Sequence, residues 1–513
     1  MSKFNLSIPT AVLISAISSL SVKAEKRTNI LFVMCDQLNA KALSCYGGPI
    51  STPNIDLLAQ QGARFTHAAC TTPFSSPSRG SIVTGLYPHQ HGITANLGEK
   101  KQKGISEEDI TTDKLLAPAG YTTHHYGKWH LSNGDMELSY YPDPYSFERE
   151  FQNQLKKRFQ EEQAKDKGDW MNYKGFPFPV ELSPVFKKLQ PTLESEWGDK
   201  PFKDFAMKIG RLKCTPPQWH DDICTQKVIE AIKANKNSEK PFSITCSFIW
   251  PHDPNFVPDP YYSSLNPAEF KLSETQFLES KFATNWGHEM VRQYGTEGCQ
   301  EFLRVYFATV KFIDDEVGRL IAALKESGQW ENTAIVFTTD HGDMLTRHAM
   351  LWKSTDAFYQ EIVTIPLIIR YPKLVKPQVC DAQVSVIDFM PTFLELAQQP
   401  IPQRIAGKSL LPLLTGKVSD VDFRKYNFCE RVEINPLGNR EVLSNTLVDF
   451  MVQEKGWKYA IYRTGEEFLY CLDTDPTEVK NLANEVQYAA KKSELHLAIN
   501  EWLKSTNWKG KTL

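Results

Sequence analysis

Short apolar runs alternate with amphipathic stretches through most of the chain. Asn29–Cys35, Phe242–Phe248 and Thr333–Thr339 are runs of the kind buried on both faces of a parallel sheet. Residues 63–68, 122–126 and 365–370 read as further strands. Between them the spacing predicts helices: one from Pro53, one from about 110, one from His220 to Ala234, and a long one over 300–327. In the last, Phe302, Tyr306, Val310, Ile313, Val317 and Leu320 recur on one face. Asp314 and Asp315 lie within it and read as capping or surface charges. The order predicts an α/β fold, a large mixed, mostly parallel sheet sandwiched by helices.

Two regions depart from this pattern. From about 140 to 215 the periodicity fails: residues 147–169 are highly charged and helix-prone, and 170–220 are rich in Pro, Trp and Phe. This reads as an insertion, either a functional lid or surface decoration. Trp170, Tyr173, Trp197 and Lys203 make it a candidate sugar-facing wall. After about residue 420, Tyr459–Tyr462 and Phe468–Leu472 flank Gly465 in a hairpin pattern, followed by a helix near 484–503. The expected organisation is a catalytic domain over 25–420 and a C-terminal α+β subdomain over 421–513.

The first residues carry a different signal. Lys3 precedes an apolar stretch, Leu6 to Leu20, too short to span a membrane, and Val22-Lys23-Ala24 offers a cleavage site. Residues 1–24 are therefore expected to be a signal peptide. The mature chain is expected to be exported, periplasmic or secreted, with no membrane partner. The net charge of −3 gives no global basic footprint for nucleic acid. An anionic substrate would need a local basic pocket. The 10 Cys are scattered without metal spacing, and Cys35 and Cys246 read as small buried residues.

Candidate chemistry clusters after the apolar runs. Asp36-Gln37 follows the first and Asp340-His341 the one near 333–339, both at strand carboxyl ends where open α/β sheets bind ligands. Ser75-Ser76-Pro77-Ser78-Arg79 opens a helix, with proline suited to its first turn. Ser75 then lies at the positive end of the helix dipole, beside a forked cation, where an oxyanion is favoured. Lys128 and His130 stand two apart on an extended segment and point the same way. His252 lies in Pro251-His252-Asp253-Pro254, and Lys353 in Leu351-Trp352-Lys353.

The string from Ser75 to Gly85, with Pro77, Ser78, Arg79, Val83 and Thr84, resembles the signature of type I sulfatases, the formylglycine-dependent branch of the alkaline-phosphatase-like superfamily. Cys45-Tyr46-Gly47, Tyr87-Pro88-His89-Gln90-His91-Gly92, Gly127-Lys128-Trp129-His130 and the loop around His252 extend the likeness over most of the mature chain. The resemblance implies a small C-terminal antiparallel sheet with a helix. It implies that Ser75 is converted to formylglycine by a serine-type maturating enzyme, a required partner. It implies a metal held by Asp36, Gln37, Asp340, His341 and the modified Ser75. Arg79 would hold the aldehyde hydrate, and Lys128 and Lys353 the sulfate. His130 would be the base, and His252 the acid toward the leaving alcohol. The expected substrate is a sulfated oligo- or polysaccharide.

Many relatives carry Asp-Asp and Asp-Asn where this chain has Asp36-Gln37 and Asp340-His341. Calcium is the expected ion from the family, although an imidazole ligand also suits a transition metal. A phosphodiesterase or phosphonate monoester hydrolase of the same superfamily is the alternative activity, and a non-catalytic glycan-binding protein a third.

Overall fold

This computed structural model describes residues 27–510 except 98–102, 133–137, 142–155, 166–169, 174–175, 198–206, 216–218, 279, 283–284, 354–356 and 434–446. The expected signal peptide, most of the charged stretch 147–169, and Lys203 lie outside the described residues. In chain order the strands are β1 (Asn29–Asp36), β2 (Ala63–Ala69), β3 (Thr122–Gly127), β4 (Trp170–Tyr173), β5 (Phe176–Leu182), β6 (Gly210–Leu212), β7 (Phe242–Pro251), β8 (Phe256–Val257), β9 (Thr333–Thr339), β10 (Leu367–Arg370) and β11 (Gln378–Ser385). They are followed by β12 (Asn427–Glu433), β13 (Leu447–Glu454), β14 (Trp457–Ile461) and β15 (Glu467–Cys471).

The main sheet has seven strands in the order β11-β2-β10-β9-β1-β7-β3. Every neighbouring pair is parallel except those made by β10, which runs antiparallel to both β2 and β9. All eight residues of β1 are buried, as its unbroken apolar run requires for a central strand covered on both faces. Register then assembles a site. Cys35 pairs with Thr339, so Asp36 and Asp340 leave adjacent strands side by side. A register shift in β7 sets Asp36 beside Pro251, and Gly127 pairs with Ser247, bringing Lys128 to the same edge. Gly127 has φ +93, and a Cβ there would meet Ser247 O at 1.9 Å. Only glycine lets β3 turn so tightly against β7.

The helix Ser75–Thr84 is buried at every residue except Val83. It ends at Gly85, in the left-handed conformation, whose N–H donates to Ser81 O. The glycine that closes the sequence signature is thus the helix cap. The long helix runs over Asn285–Glu326, starting earlier than the sequence pattern suggests, because Gly295 adopts φ 58 and ψ −165 and interrupts the periodicity. Among the described residues no helix is long and apolar enough to cross a membrane.

Where described, the 140–215 region has its own secondary structure: β4, β5 and β6 join β8 in a second sheet, and the helix Pro184–Trp197 packs on the long helix. Phe186 and Leu193 are fully buried, and Phe186 meets Tyr294 edge-on at 5.0 Å. Pro177 and Pro179 hid β5 from the sequence pattern. They are tolerated because β5 pairs with β4 over its first half and with β6 over its second, leaving one side unpaired in each half. Trp170, half-buried, packs on Phe159 at 6.4 Å and against the core. Trp197 closes its helix, and its side chain, like that of Tyr173, lies outside the described set.

At the C-terminus, β12-β13-β14-β15 form the expected antiparallel sheet, with β14 and β15 joined through Gly465. The helix Ala489–Ser505 covers it through Leu495, Ile499 and Trp502.

Asp314 shows how a buried charge is accommodated. It accepts the backbone N–H of Asn54 (3.2 Å) and of Ile55 (2.8 Å), closing the start of the helix Pro53–Gln60 from outside. Asp315 is an exposed acceptor for Tyr261. Asp314→Ala would orphan these donors. It is expected to lower unfolding free energy by about 2 kcal/mol in urea titration, with Asp314→Asn milder.

Candidate active site

Ser75, Asp36, Gln37, Asp340 and His341 converge as the sheet register dictates, and all five are fully buried. Arg79 is 1% exposed and binds them together: Nε donates to Asp340 Oδ2 (2.8 Å) and a terminal nitrogen to Asp36 Oδ2 (3.0 Å). Its other terminal nitrogen donates to Lys128 O (2.7 Å) and Ser247 Oγ (2.8 Å). Five donors in a rigid fork suit this bridging role as an ammonium could not. Lys128 Nζ adds a second cation, 2.6 Å from Asp36 Oδ2. Burial pushes the Asp36 carboxyl up, but the cations Lys128, Arg79 and Lys353 hold it well below the usual carboxylate range.

Asp36, Asp340 and His341 form a group able to hold a metal, one ligand atom from each lying within 4.8 Å of the others. His341 Nδ1 is 3.0 Å from Gly342 O and so carries the proton. Nε2 is left as a lone pair facing Asp36, Asp340 and Ser75, whose Oγ is 3.0 Å away. Burial lowers the His341 pKa and keeps this nitrogen free. Two carboxylates and a fixed neutral imidazole fit a divalent cation. Gln37 also lies there, in a left-handed conformation with φ 65. Its amide is committed on both sides: Nε2 donates to Asp343 Oδ2 (2.7 Å), and Oε1 accepts from Lys353 Nζ (3.0 Å). It links Lys353 to the group, and its carbonyl is already shared with that cation.

The remaining expected residues face the same centre. His130 has φ 54 and a buried Nδ1 without a hydrogen-bond partner among the described residues. Burial, then the charges of Lys128 and Arg79, press its pKa well below normal, so it stands neutral. His252 is likewise lowered by burial and then by Lys353 and Lys128, while its Nδ1 lies 2.9 Å from Asp253 O. Lys353 is itself lowered by burial. Three cations and two neutral histidines around two carboxylates make a centre ready for an anion.

Sequence reasoning missed three supports. Tyr306 OH donates to Gln37 O (2.7 Å) and accepts from Asn39 N (2.9 Å), but its helical spacing marked it only as core. Ser247 was hidden inside an apolar strand. Asp343 is fully buried, pushed up to about 7 by burial, and holds Gln37. Its place in Asp340-His341-Gly342-Asp343 was the available signal.

Two outcomes follow. Arg79→Ala leaves two buried carboxylates with only part of their counter-charge and is expected to cost about 3–5 kcal/mol of stability, measured by denaturant unfolding. Adding calcium, manganese or zinc to chelator-treated protein should raise Tm for the wild type and not for Asp340→Ala, read by calorimetry.

Residues 28–399 match the sulfatase family, and residues 350–505 match the C-terminal region of N-sulphoglucosamine sulphohydrolase. An N-acetylglucosamine-6-O-sulfatase of Bacteroides thetaiotaomicron is 29% identical, the match covering 97% of this chain and 90% of that protein. A solved structure bound to its substrate D-glucosamine-2-N,6-O-disulfate shares the fold with a TM-score of 0.70 at 24% identity, covering 94% of this chain and 99% of that one. A phosphonate monoester hydrolase of Silicibacter pomeroyi shares it with a TM-score of 0.69 at 22% identity, covering 94% and 96%. With most of its length matched and the signature helix seated against the carboxylate pair, the chain belongs to the sulfatase family and is a sulfuric ester hydrolase.

Proposed function

We propose that the enzyme is exported and removes sulfate from sulfated saccharides, using a formylglycine made from Ser75 by a serine-type maturating enzyme. The observation that carries this reading is the position of Ser75. It sits at the first turn of a buried helix, 3.0 Å from His341 Nε2 and 3.4 Å from Asp36 Oδ1, with Arg79 one turn on. The N-acetylglucosamine-6-O-sulfatase relative supports a sugar substrate, and the apolar N-terminal stretch supports export.

The sulfate ester carries one negative charge, shared over three oxygens. Lys128 and Lys353 would receive these oxygens, and Arg79 would hold the nucleophile in line with sulfur. Asp36, Asp340, His341 and the modified Ser75 would hold one divalent metal, calcium by family expectation, with Gln37 adjoining. When bound, the ion supplies Lewis-acid charge at the reacting oxygens. A formylglycine hydrate would lose a proton from one hydroxyl as its oxygen bonds to sulfur and the bond from sulfur to the sugar oxygen breaks; proton loss from the second hydroxyl would then release sulfate and leave the aldehyde, which water rehydrates. His130, neutral and half-buried, would take that second proton. His252 delivers a proton to the departing sugar oxygen, so ester and water become alcohol and hydrogen sulfate. Holding His252 protonated in the complex falls to the incoming anion, which offsets Lys128 and Lys353.

The second reading, a phosphonate monoester hydrolase or phosphodiesterase, is favoured by the Asp36-Gln37 and Asp340-His341 pairs and by the structural neighbour with that activity. Sulfate release from defined sulfated oligosaccharides, run beside phosphate and phosphonate esters, decides between them.

Matured protein should yield a Ser75 peptide two hydrogens lighter by mass spectrometry, while protein made without the maturating enzyme should fold and be nearly inactive. Full turnover by unmodified Ser75 would replace the aldehyde with direct serine attack. His252→Ala should slow a sugar sulfate by about 10²–10⁴-fold and an activated aryl sulfate far less, because an acid matters most for a basic leaving group. Equal losses would remove His252 from that role.

A further inference from the structure

The long helix breaks at Gly295, and beside the break lies an open cleft of about 640 Å³. One wall is the segment Lys271–Leu278, and the other carries Thr296 and Gln300. None of these residues belongs to the site described above. Phe277 and Leu278 are each 41% exposed, so an aromatic face and an aliphatic side chain stand open to solvent. Lys271 and Glu274, both exposed, place a donor and an acceptor in the same cleft. A pyranose ring presents an apolar C–H face and a rim of hydroxyls, which is the complement of this lining. The volume suits one or two sugar rings.

The cleft is mechanically joined to the active site. Its inner residues grip the loop that leads to Lys353: Thr275 O accepts from His348 N (2.8 Å), Gln276 O from Ala349 N (3.1 Å), and Gln276 Nε2 donates to Thr346 O (2.9 Å). That loop contains five non-glycine residues with positive φ, Leu345, Thr346, His348, Ala349 and Trp352, a conformation that surrounding contacts must sustain. It leaves the carboxyl end of β9, the end that carries Asp340 and His341.

We propose that this cleft is a distal subsite for a further ring of the glycan chain whose sulfate is cut. This rests on the saccharide reading above. Phe277 stacks on the ring face, and Lys271 and Glu274 take its hydroxyls. Occupancy steadies the loop that positions Lys353, so longer substrates gain in kcat/KM over a single sulfated sugar.

The test uses Phe277→Ala and Lys271→Ala, both exposed and outside the catalytic machinery. The probes are N-acetylglucosamine-6-sulfate and a tetrasaccharide ending in the same sulfated residue. Binding is measured by calorimetry on Ser75→Ala protein, which needs no turnover. Kinetics are measured on the matured enzyme. Each substitution is expected to weaken tetrasaccharide binding and lower its kcat/KM by about tenfold, the scale of one lost aromatic contact, and to leave the monosaccharide unchanged. Unchanged tetrasaccharide binding, or parallel losses on both probes, overturns the subsite. If no saccharide sulfate is hydrolysed yet binding depends on Phe277, the saccharide-sulfatase reading fails and the cleft stands as a sugar site.

Discussion

The structure depends on the pairing of one buried guanidinium with two buried carboxylates. Asp36 and Asp340 are placed together by the register of β1 and β9, and in a dry interior neither could stay ionised alone. Arg79 reaches both and also ties Lys128 and Ser247 into the cluster. A network of this kind is weak evidence of net stability, since the charges are costly to bury. Its return is geometric: Ser75, one helical turn before Arg79, is fixed against the carboxylates and His341.

Strain concentrates around the same point. Gln37, His130 and Trp352 adopt left-handed backbone conformations at or next to the residues that would handle metal, proton and sulfate. Each costs about 1–3 kcal/mol. Tyr306 on the long helix fixes the backbone at Gln37, and Gly127 permits the approach of β3 that delivers Lys128 and His130. The site is therefore assembled from strand ends and held by helices on both sides. The C-terminal sheet reaches the same region, where buried Lys458 pairs with Glu478 and donates to Phe358 O, next to the loop that carries Lys353.

Much of this was legible in the sequence because apolar runs reveal central strands directly. The runs at β1, β7 and β9 located Asp36, His252 and Asp340 at their carboxyl ends, and the signature string located Ser75 and Arg79 on a helix. Register was not legible, since nothing local specifies that Cys35 faces Thr339. Ser247 and Tyr306 looked like core because their polar atoms are used only after distant segments meet. The second sheet escaped because Pro177 and Pro179 suppress a strand signal that half-paired edges tolerate, and the early part of the long helix escaped because Gly295 shifts its phase. The family resemblance placed Gln37 among the metal ligands. Its links to Asp343 and Lys353 emerge only in three dimensions.

This centre is expected to prefer sulfur over phosphorus. The decisive measurement is kcat/KM of one matured, metal-loaded preparation for a matched pair, a sulfate monoester and a phosphonate monoester of the same alcohol. Membership of the sulfatase family, with the signature helix seated against the carboxylate pair, predicts release of inorganic sulfate as the faster reaction. Faster turnover of the phosphonate, with sulfate release near background, would contradict it.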